Sequence, residues 1–573
     1  MRSGDPLTGA RTDERAWVPV PLARGTRGAV VAPHHLATVA GLGILRAGGS
    51  AVDAAIATNA VLAVVMPEAC GIGGDAFWLV WDAAAGSQVA LNGSGRAPAG
   101  LRAAGADSGA LRDAGLTSLP RRGALSITVP GAVRSWARAH DRWGRLDRST
   151  VLAPAIELAG GGFAAWDGFI ESVEAAAAIV DQSLDPAVGR GFHQVFRAAA
   201  RPWRAGEPVR LPALAATLET LARNGFDALY AGDLAERQAR ALGSAGSPIR
   251  TDDFAAQDAT WETPIGTSYR GVRVTTHPPN SSGVVALQLL RILERFDPPT
   301  PDIFGAAGVE DARWIHLGIE AAKLAMADRD RHLADPAVAP VPIEALLDDA
   351  YVAALAGRIN PDRASRPADA ATPPGGGTIH LAVVDAWGNA VSLIQSNYLG
   401  FGSGVVDPAT GVHYHNRGMS FSLRPGHPNE LAPGKRPLHT LLPGMLFRDE
   451  GGPPWIVVGS MGGHAQPQIH AQFVSAVVDG GLDIRTAVAA PRWFVEPPDE
   501  FEPPVHVRVE PRHAPGVLEA LEGMGHPVER VAPFDSLLGH EHAIELVDGG
   551  PGTTGGSLAA TTDPRSAGLP ATW

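Results

Sequence analysis

The stretch Gly375-Gly376-Gly377-Thr378-Ile379-His380-Leu381-Ala382-Val383-Val384-Asp385 is where the chain changes character. Residues 361–377 are dense in Pro, Ala and Gly. From Thr378 onward, β-branched and apolar residues recur with the period of a strand. The run to Val384, the turn Asp385-Ala386-Trp387-Gly388-Asn389 and a second run from Ala390 to Gln395 predict a β-hairpin with Thr378 at its head.

A threonine at that point suits one kind of chemistry. Its hydroxyl is a weak nucleophile without an adjacent base, and the nearest base is its own α-amino group once the chain is cut before it. That amine has a reference pKa of about 7.7–8.0, so part of it is neutral at pH 7 and can take the hydroxyl proton. Glycines in front of the threonine tolerate the backbone geometry in which the hydroxyl attacks the preceding carbonyl. Taken alone, the stretch is read more economically as a loop that opens a strand.

Composition narrows the classes of function. The chain has 573 residues, of which 45% are hydrophobic, enough for one large layered domain or for two smaller ones. A net charge of −13, a pI near 5.8 and no basic block argue against nucleic acid as a partner. The single cysteine, Cys70, rules out an intrachain disulfide and suits a reducing compartment, so a cytoplasmic location is expected. Residues 1–24 have no apolar core of the secretory kind and are expected to be a disordered tail. The most apolar run, Ala51 to Met66, carries Asp53 and Asn59 and does not read as a membrane span.

Along the chain, Gly28 to Ala32 reads as a strand, His34 to Ala47 as a helix, and Ser50 to Val65 as a helix apolar all round and therefore buried. Gly71-Ile72-Gly73-Gly74-Asp75 reads as a tight turn before the strand Ala76 to Trp81; the glycine pattern matches neither a dinucleotide fingerprint nor a Walker sequence. Helices are predicted near Val129 to Trp143, Thr150 to Gly160, Gly168 to Val180, Leu211 to Asn224, Val284 to Phe296 and Asp311 to Arg331, with Ser281 or Ser282 capping the fifth. A strand at Pro454 to Val458 and a helix at His470 to Val478 complete an α/β order with paired antiparallel strands, which favours a layered α/β sandwich.

Taken together, Gly49 to Ala55, Gly71 to Gly74, Val129-Pro130-Gly131, Pro278 to Gly283, Gly377-Thr378, Asp385 to Ala390, Phe401 to Gly404, Lys435-Arg436-Pro437, Gly459 to Gly463 and Asp563-Pro564-Arg565 resemble, in order, the γ-glutamyltranspeptidase family. The resemblance runs from about Gly28 to Arg565. It implies a four-layer αββα sandwich of the N-terminal-nucleophile hydrolase type, self-cleaved between Gly377 and Thr378 into segments 1–377 and 378–573. These remain together as a heterodimer and form one domain over residues 25–573. It further implies a threonyl acyl-enzyme with no metal or cofactor. Ser396 falls where the family has a hydroxyl against the nucleophile, and Gly462 and Gly463 fall on the oxyanion-hole glycines.

The substrate positions depart from the γ-glutamyl pattern. Where the family surrounds an α-ammonium with Asn, Gln and Asp stand Tyr398, Arg417 and Ser420, so the acid is gone. His439 and Thr440 replace two serines that meet the α-carboxylate. The family's arginine aligns near Ser94, with Arg96 two residues on. The segment from Gln395 to Gly402 and that from Asn416 to Asn429 look more like the acylase and oxamate-amidohydrolase branch, with Arg417 as a bidentate partner for a carboxylate. The short segment Arg424 to Pro433 implies a more open pocket. The favoured substrate is a small acidic amide of the oxamate or glutaryl type, with glutathione hydrolysis or transfer as the runner-up. Two readings of other classes are a metal-dependent hydrolase using His413 and His415 or His540 and His542, and a non-catalytic binding protein.

Overall fold

The Thr378 hairpin forms the middle of a seven-stranded antiparallel sheet. In the computed structural model, which describes residues 21–183, 188–197, 201–365, 377–495 and 506–573, that sheet runs in the order Ala571–Thr572, Ala29–Val31, Gly377–Val384, Ala390–Tyr398, Asp75–Asp82, Ser87–Gly93 and Thr260–Glu262. A second seven-stranded antiparallel sheet runs Leu22–Gly25, Ser557–Thr561, Glu541–Val547, Ile456–Ser460, Gly444–Phe447, Val272–Thr276 and Ile265–Tyr269.

Alternation along the strands assigns their faces. Ala382, Val384, Ala390, Leu79 and Trp81 of the first sheet share an apolar cluster with Met445, Phe447, Val457, Ile544 and Leu546 of the second. The intervening residues Leu381, Val383, Leu393 and Trp78 pack instead with the helix Ala51–Val65, all of whose residues are buried. Covered on both faces, the two hairpin strands are buried throughout, which is why they read as nearly continuous apolar runs. The helices Gly283–Leu293, Ala312–His332 and Gln466–Val478 supply a third cluster with Val458, Ile456 and Leu446 of the second sheet. Side chains of Thr378, Ser396 and Asp75 follow the parity of the residues that face the second sheet, so they stand at one end of the gap between the sheets.

Local chemistry explains the joints. Ser50 and Asp53 form a reciprocal capping box at the start of Ala51–Val65. Asp385, in the hairpin turn, accepts the Ala51 N–H at 2.9 Å and ties the hairpin to that helix.

Several expectations need correcting. Leu22, Ala23 and Arg24 are not tail but pair with Thr561, Ala560 and Ala559 in the second sheet. Residues 1–20 of the expected tail, and 366–376 of the loop before Thr378, lie outside the described residues. Of the two candidate caps of Gly283–Leu293, Ser281 Oγ accepts the Gly283 N–H at 3.3 Å, whereas Ser282, at the cap position itself, donates its hydroxyl to the His439 carbonyl at 2.7 Å. The helix expected at His470 starts one turn earlier, at Gln466. Among the described residues no helix is long and apolar enough to cross a membrane.

Candidate active site

The register builds the site outward from Thr378. Thr378 stands opposite Ser396, with their hydroxyl oxygens 2.9 Å apart. Ser396 Oγ also lies 2.6 Å from the carbonyl oxygen of Gly377 and accepts the Tyr398 N–H at 2.7 Å. With one proton of its own, Ser396 donates to the Gly377 carbonyl, which leaves its lone pairs for Tyr398 N–H and for the Thr378 hydroxyl. The same serine therefore polarises the peptide carbonyl before Thr378 and accepts from the hydroxyl after it. Between Ser396 and Tyr398 the pairing slips by one residue, a bulge that leaves Asn397 as the extra residue and Tyr398 at φ +73°. Gly74 permits this approach: a Cβ there would stand 2.6 Å from the Ser396 carbonyl oxygen.

Tyr398 carries the next group. The Arg417 guanidinium lies over its ring, 3.7 Å from the centroid, while the Arg417 nitrogens face Thr440 Oγ1 at 3.3 Å and Ser420 Oγ at 3.4 Å. Arg417 is 1% exposed. Burial pushes its pKa down to about 10, so it stays charged at neutral pH. Among the described residues no carboxylate lies within ion-pair distance of it. A buried guanidinium with no carboxylate in contact is costly by several kcal/mol, which the charge of the more distant Asp75 offsets only in part, so an anion that completes it gains correspondingly.

Gly462 and Gly463 follow the strand Ile456–Ser460 and lead into the helix Gln466–Val478. Their φ angles of +137° and +54° point the backbone away from the strand. The first N–H groups of a helix have no intrahelical acceptor, and among the described residues neither glycine's N–H has another. These two donors, at the positive end of a helix, are suited to a developing oxyanion. The next residue, His464, meets the Tyr398 hydroxyl at 3.3 Å and Arg329 at 2.7 Å, which brings this turn to the same end of the first sheet.

His439 lies beside Asp75 rather than Arg417: its Nε2 is 3.2 Å from Asp75 Oδ2. Burial pushes the His439 imidazole down to about 3, with Arg417 adding to the shift, so the ring is neutral. Burial alone would raise the Asp75 carboxyl, but His415, the bond from His439 and Arg417 outweigh it and hold the pKa below the usual value.

The site residues named from sequence thus divide. Thr378 and Ser396 form one contact group, and Tyr398, Arg417, Ser420 and Thr440 a second joined to it through Tyr398; Gly462 and Gly463 close on it through His464. Arg96 is not brought in: it donates to the Gly434 carbonyl at 3.0 Å and pairs with Asp335 at 3.6 Å. Thr378, Ser396, Arg417, His439 and Thr440 are all buried. Met419, Phe421, Leu423 and Leu431 form an apolar cluster over Tyr398 and Leu399. Sequence reasoning missed Asp75 and His464. A signal existed for the first, an acid opening a strand that is otherwise apolar up to Asp82.

Neither histidine pair considered for a metal converges. His413 bonds to Cys70 and Asn397, and His415 to Thr128. Among the described residues the set spaced for a metal is His316, Glu320 and His526. Its donors are engaged, however: His316 with His526 at 2.7 Å and Glu320 with Lys323 at 2.6 Å.

The profile of the gamma-glutamyltranspeptidase family matches residues 37–573. The chain is 37% identical to the glutathione hydrolase-like YwrD proenzyme of Bacillus subtilis, over 95% of this chain and 98% of that one. It is 36% identical to the oxamate amidohydrolase proenzyme of Klebsiella pneumoniae, with the same two coverages. The crystal structure of cephalosporin acylase from Bacillus halodurans superposes with a TM-score of 0.88 at 36% identity, covering 100% of this chain and 99% of that one. An enzyme class is thereby defined, that of the N-terminal-nucleophile amidohydrolases and acyltransferases. Within it, the chain belongs to the γ-glutamyltranspeptidase family and resembles its acylase and oxamate-amidohydrolase members.

Proposed function

We propose that the chain cuts itself between Gly377 and Thr378 and then hydrolyses a small acidic amide that lacks an α-ammonium group, of the oxamate or glutaryl type. Two seven-stranded sheets with helix clusters on their outer sides support a four-layer αββα sandwich, in which residues 1–377 and 378–573 stay together as a heterodimer.

In the first step the Thr378 hydroxyl attacks the Gly377 carbonyl, which Ser396 polarises; the Gly377–Thr378 C–N bond breaks as the ester forms and frees the Thr378 amine, and water then hydrolyses the ester to the Gly377 carboxylate and the free Thr378 hydroxyl. In turnover, that amine takes the hydroxyl proton as the oxygen attacks the substrate amide. The Gly462 and Gly463 N–H groups hold the oxyanion, the amine of the substrate leaves with the proton, and water releases the acid.

The observation that carries the specificity is Arg417, buried, charged and without a carboxylate partner. It suits a substrate carboxylate and repels an ammonium, since Ser420 supplies no negative charge to offset it. Thr440 orients the guanidinium. The single buried cysteine is compatible with a cytoplasmic location, which cell fractionation tests.

Intact mass tests the first step. Wild-type protein is expected to give fragments of 377 and the remaining 196 of the 573 residues, and Thr378→Ala a single chain. Side-by-side kinetics test the second. Oxamate and glutaryl amides are expected to exceed glutathione and γ-glutamyl anilides in kcat/KM, and Arg417→Ala to lower kcat/KM for the acidic amides on the order of 10–100-fold. Better turnover of γ-glutamyl compounds would instead establish glutathione hydrolysis, the reading favoured by the name of the 37% identical relative.

A further inference from the structure

Thr378, Ser396 and Asp75 stand directly opposite one another on three adjacent strands, their side chains on the same face. At a strand spacing of about 4.8 Å, the Asp75 backbone is about 10 Å from that of Thr378, the span of a short acyl chain. Nothing in the reaction described above uses Asp75. It is nonetheless fully buried, and its contacts are specific. Oδ1 accepts the N–H groups of Gly95 at 2.9 Å and Gly131 at 3.3 Å. Oδ2 faces His439 Nε2 at 3.2 Å and His415 Nδ1 at 3.8 Å.

The hydrogen bonds assign both tautomers. His415 Nε2 lies 3.0 Å from the Thr128 carbonyl oxygen and must donate to it, and its Nδ1 accepts the Arg417 N–H at 3.3 Å. His415 therefore has no proton to offer Asp75. The donor to Oδ2 is His439 Nε2–H, which leaves a lone pair on His439 Nδ1. That atom is buried and, among the described residues, has no partner. A buried acceptor without a donor is unusual enough to require an explanation. The next residue, Thr440, contacts Arg417.

We infer that the Asp75–His439 pair is a second arm of the acyl-binding site, in which His439 Nδ1 accepts a hydrogen bond from an uncharged O–H or N–H on the carbon beside the substrate carboxylate. This rests on reading Arg417 as the carboxylate holder. It extends the substrate class from plain acidic amides to those bearing a 2-hydroxyl or 2-acylamino group, and Asp75 is the positioning residue that sets the polarity of the arm. Asp75→Asn inverts that polarity. Pinned by Gly95 and Gly131, the side-chain oxygen stays where Oδ1 is, so the amide N–H faces His439 Nε2 and drives the ring proton to Nδ1.

The test is calorimetric binding of glutarate, 2-hydroxyglutarate and 2-oxoglutarate to the cleaved enzyme. Wild type is expected to bind 2-hydroxyglutarate roughly tenfold tighter than 2-oxoglutarate, the worth of about one hydrogen bond, and Asp75→Asn to reverse the order. His439→Gln, whose amide both donates and accepts, is expected to bring the ratio near one, and it keeps the test decisive if Asp75→Asn does not fold. Equal binding of the two acids by wild type, or an unchanged ratio in either variant, overturns the inference. Glutarate binding that is lost in Arg417→Ala shows the carboxylate reading to be intact in that event. If none of the three acids binds wild type, the carboxylate reading has failed and this inference falls with it.

Discussion

Ser396 holds two jobs that a sequence motif cannot separate. Its hydroxyl sits between the Thr378 oxygen and the Gly377 carbonyl, so it serves the cut as well as the later turnover. Removing it leaves the Thr378 hydroxyl without an acceptor and the carbonyl without a donor, each worth about 1 kcal/mol or more in a buried site. Ser396→Ala is therefore expected to slow cleavage by about tenfold or more, while Ser396→Thr, which keeps the hydroxyl, retains it. Time-resolved intact mass distinguishes the two; cleavage of Ser396→Ala at the wild-type rate would remove Ser396 from the mechanism. Arg417 was legible as a residue type, and its meaning came from what surrounds it. The sequence shows an arginine where the family has an amide, but only packing leaves it buried, stacked on Tyr398 and without a carboxylate.

At the scale of elements, the decisive joint is the turn between the strand Ile456–Ser460 and the helix Gln466–Val478. A Cβ at Gly462 would lie 3.0 Å from the Ile469 side chain, and φ of +137° is a conformation that L residues rarely adopt. Gly462→Val is expected to swing the N–H groups out of line and reduce kcat on the order of 10²–10³-fold, with a smaller change in KM. A circular dichroism spectrum like that of wild type shows the fold retained. A kcat within a factor of two would place the oxyanion donors elsewhere. Where period and caps agree, the element boundaries read from sequence were good to a residue at Ala51–Val65 and to three at the hairpin, whose second strand runs on from Gln395 to Tyr398. They failed at Leu22–Gly25, a short edge strand whose partner, Ser557–Thr561, is more than 500 residues away. No local pattern encodes a pairing of that range.

For the whole molecule, burial of histidine has a consequence for pH. Burial pushes His277 and His413 down to about 4, and His470, His513 and His542 down to about 3, from an ordinary value near 6.5. These rings stay neutral in the folded protein down to those values, while in the unfolded chain they take up protons below about 6.5. The unfolded state then binds more protons, so stability is fully present above pH 6.5 and declines as pH falls from there toward 4. Each such histidine costs at most about 1.4 kcal/mol per pH unit within that window. Thermal unfolding is expected to give a flat Tm between pH 7 and 8 and a steep decline from pH 6.5 to 5. A Tm that is flat down to pH 5 would mean these rings are hydrated and titrate normally.

What the sequence determined by itself was the order of elements, the family, and the threonine at the head of a hairpin, because periodicity, glycine-rich joints and colinear motifs are local signals that survive in one dimension. What only the tertiary structure decided was polarity: that Asp75 lies two strands from Thr378, that it sets the tautomer of His439, and that Arg417 is left without a carboxylate in contact. The physical reason is range. Asp75 and His439 are 364 residues apart, and the charge state of a buried group depends on everything packed around it, which no stretch of chain carries on its own.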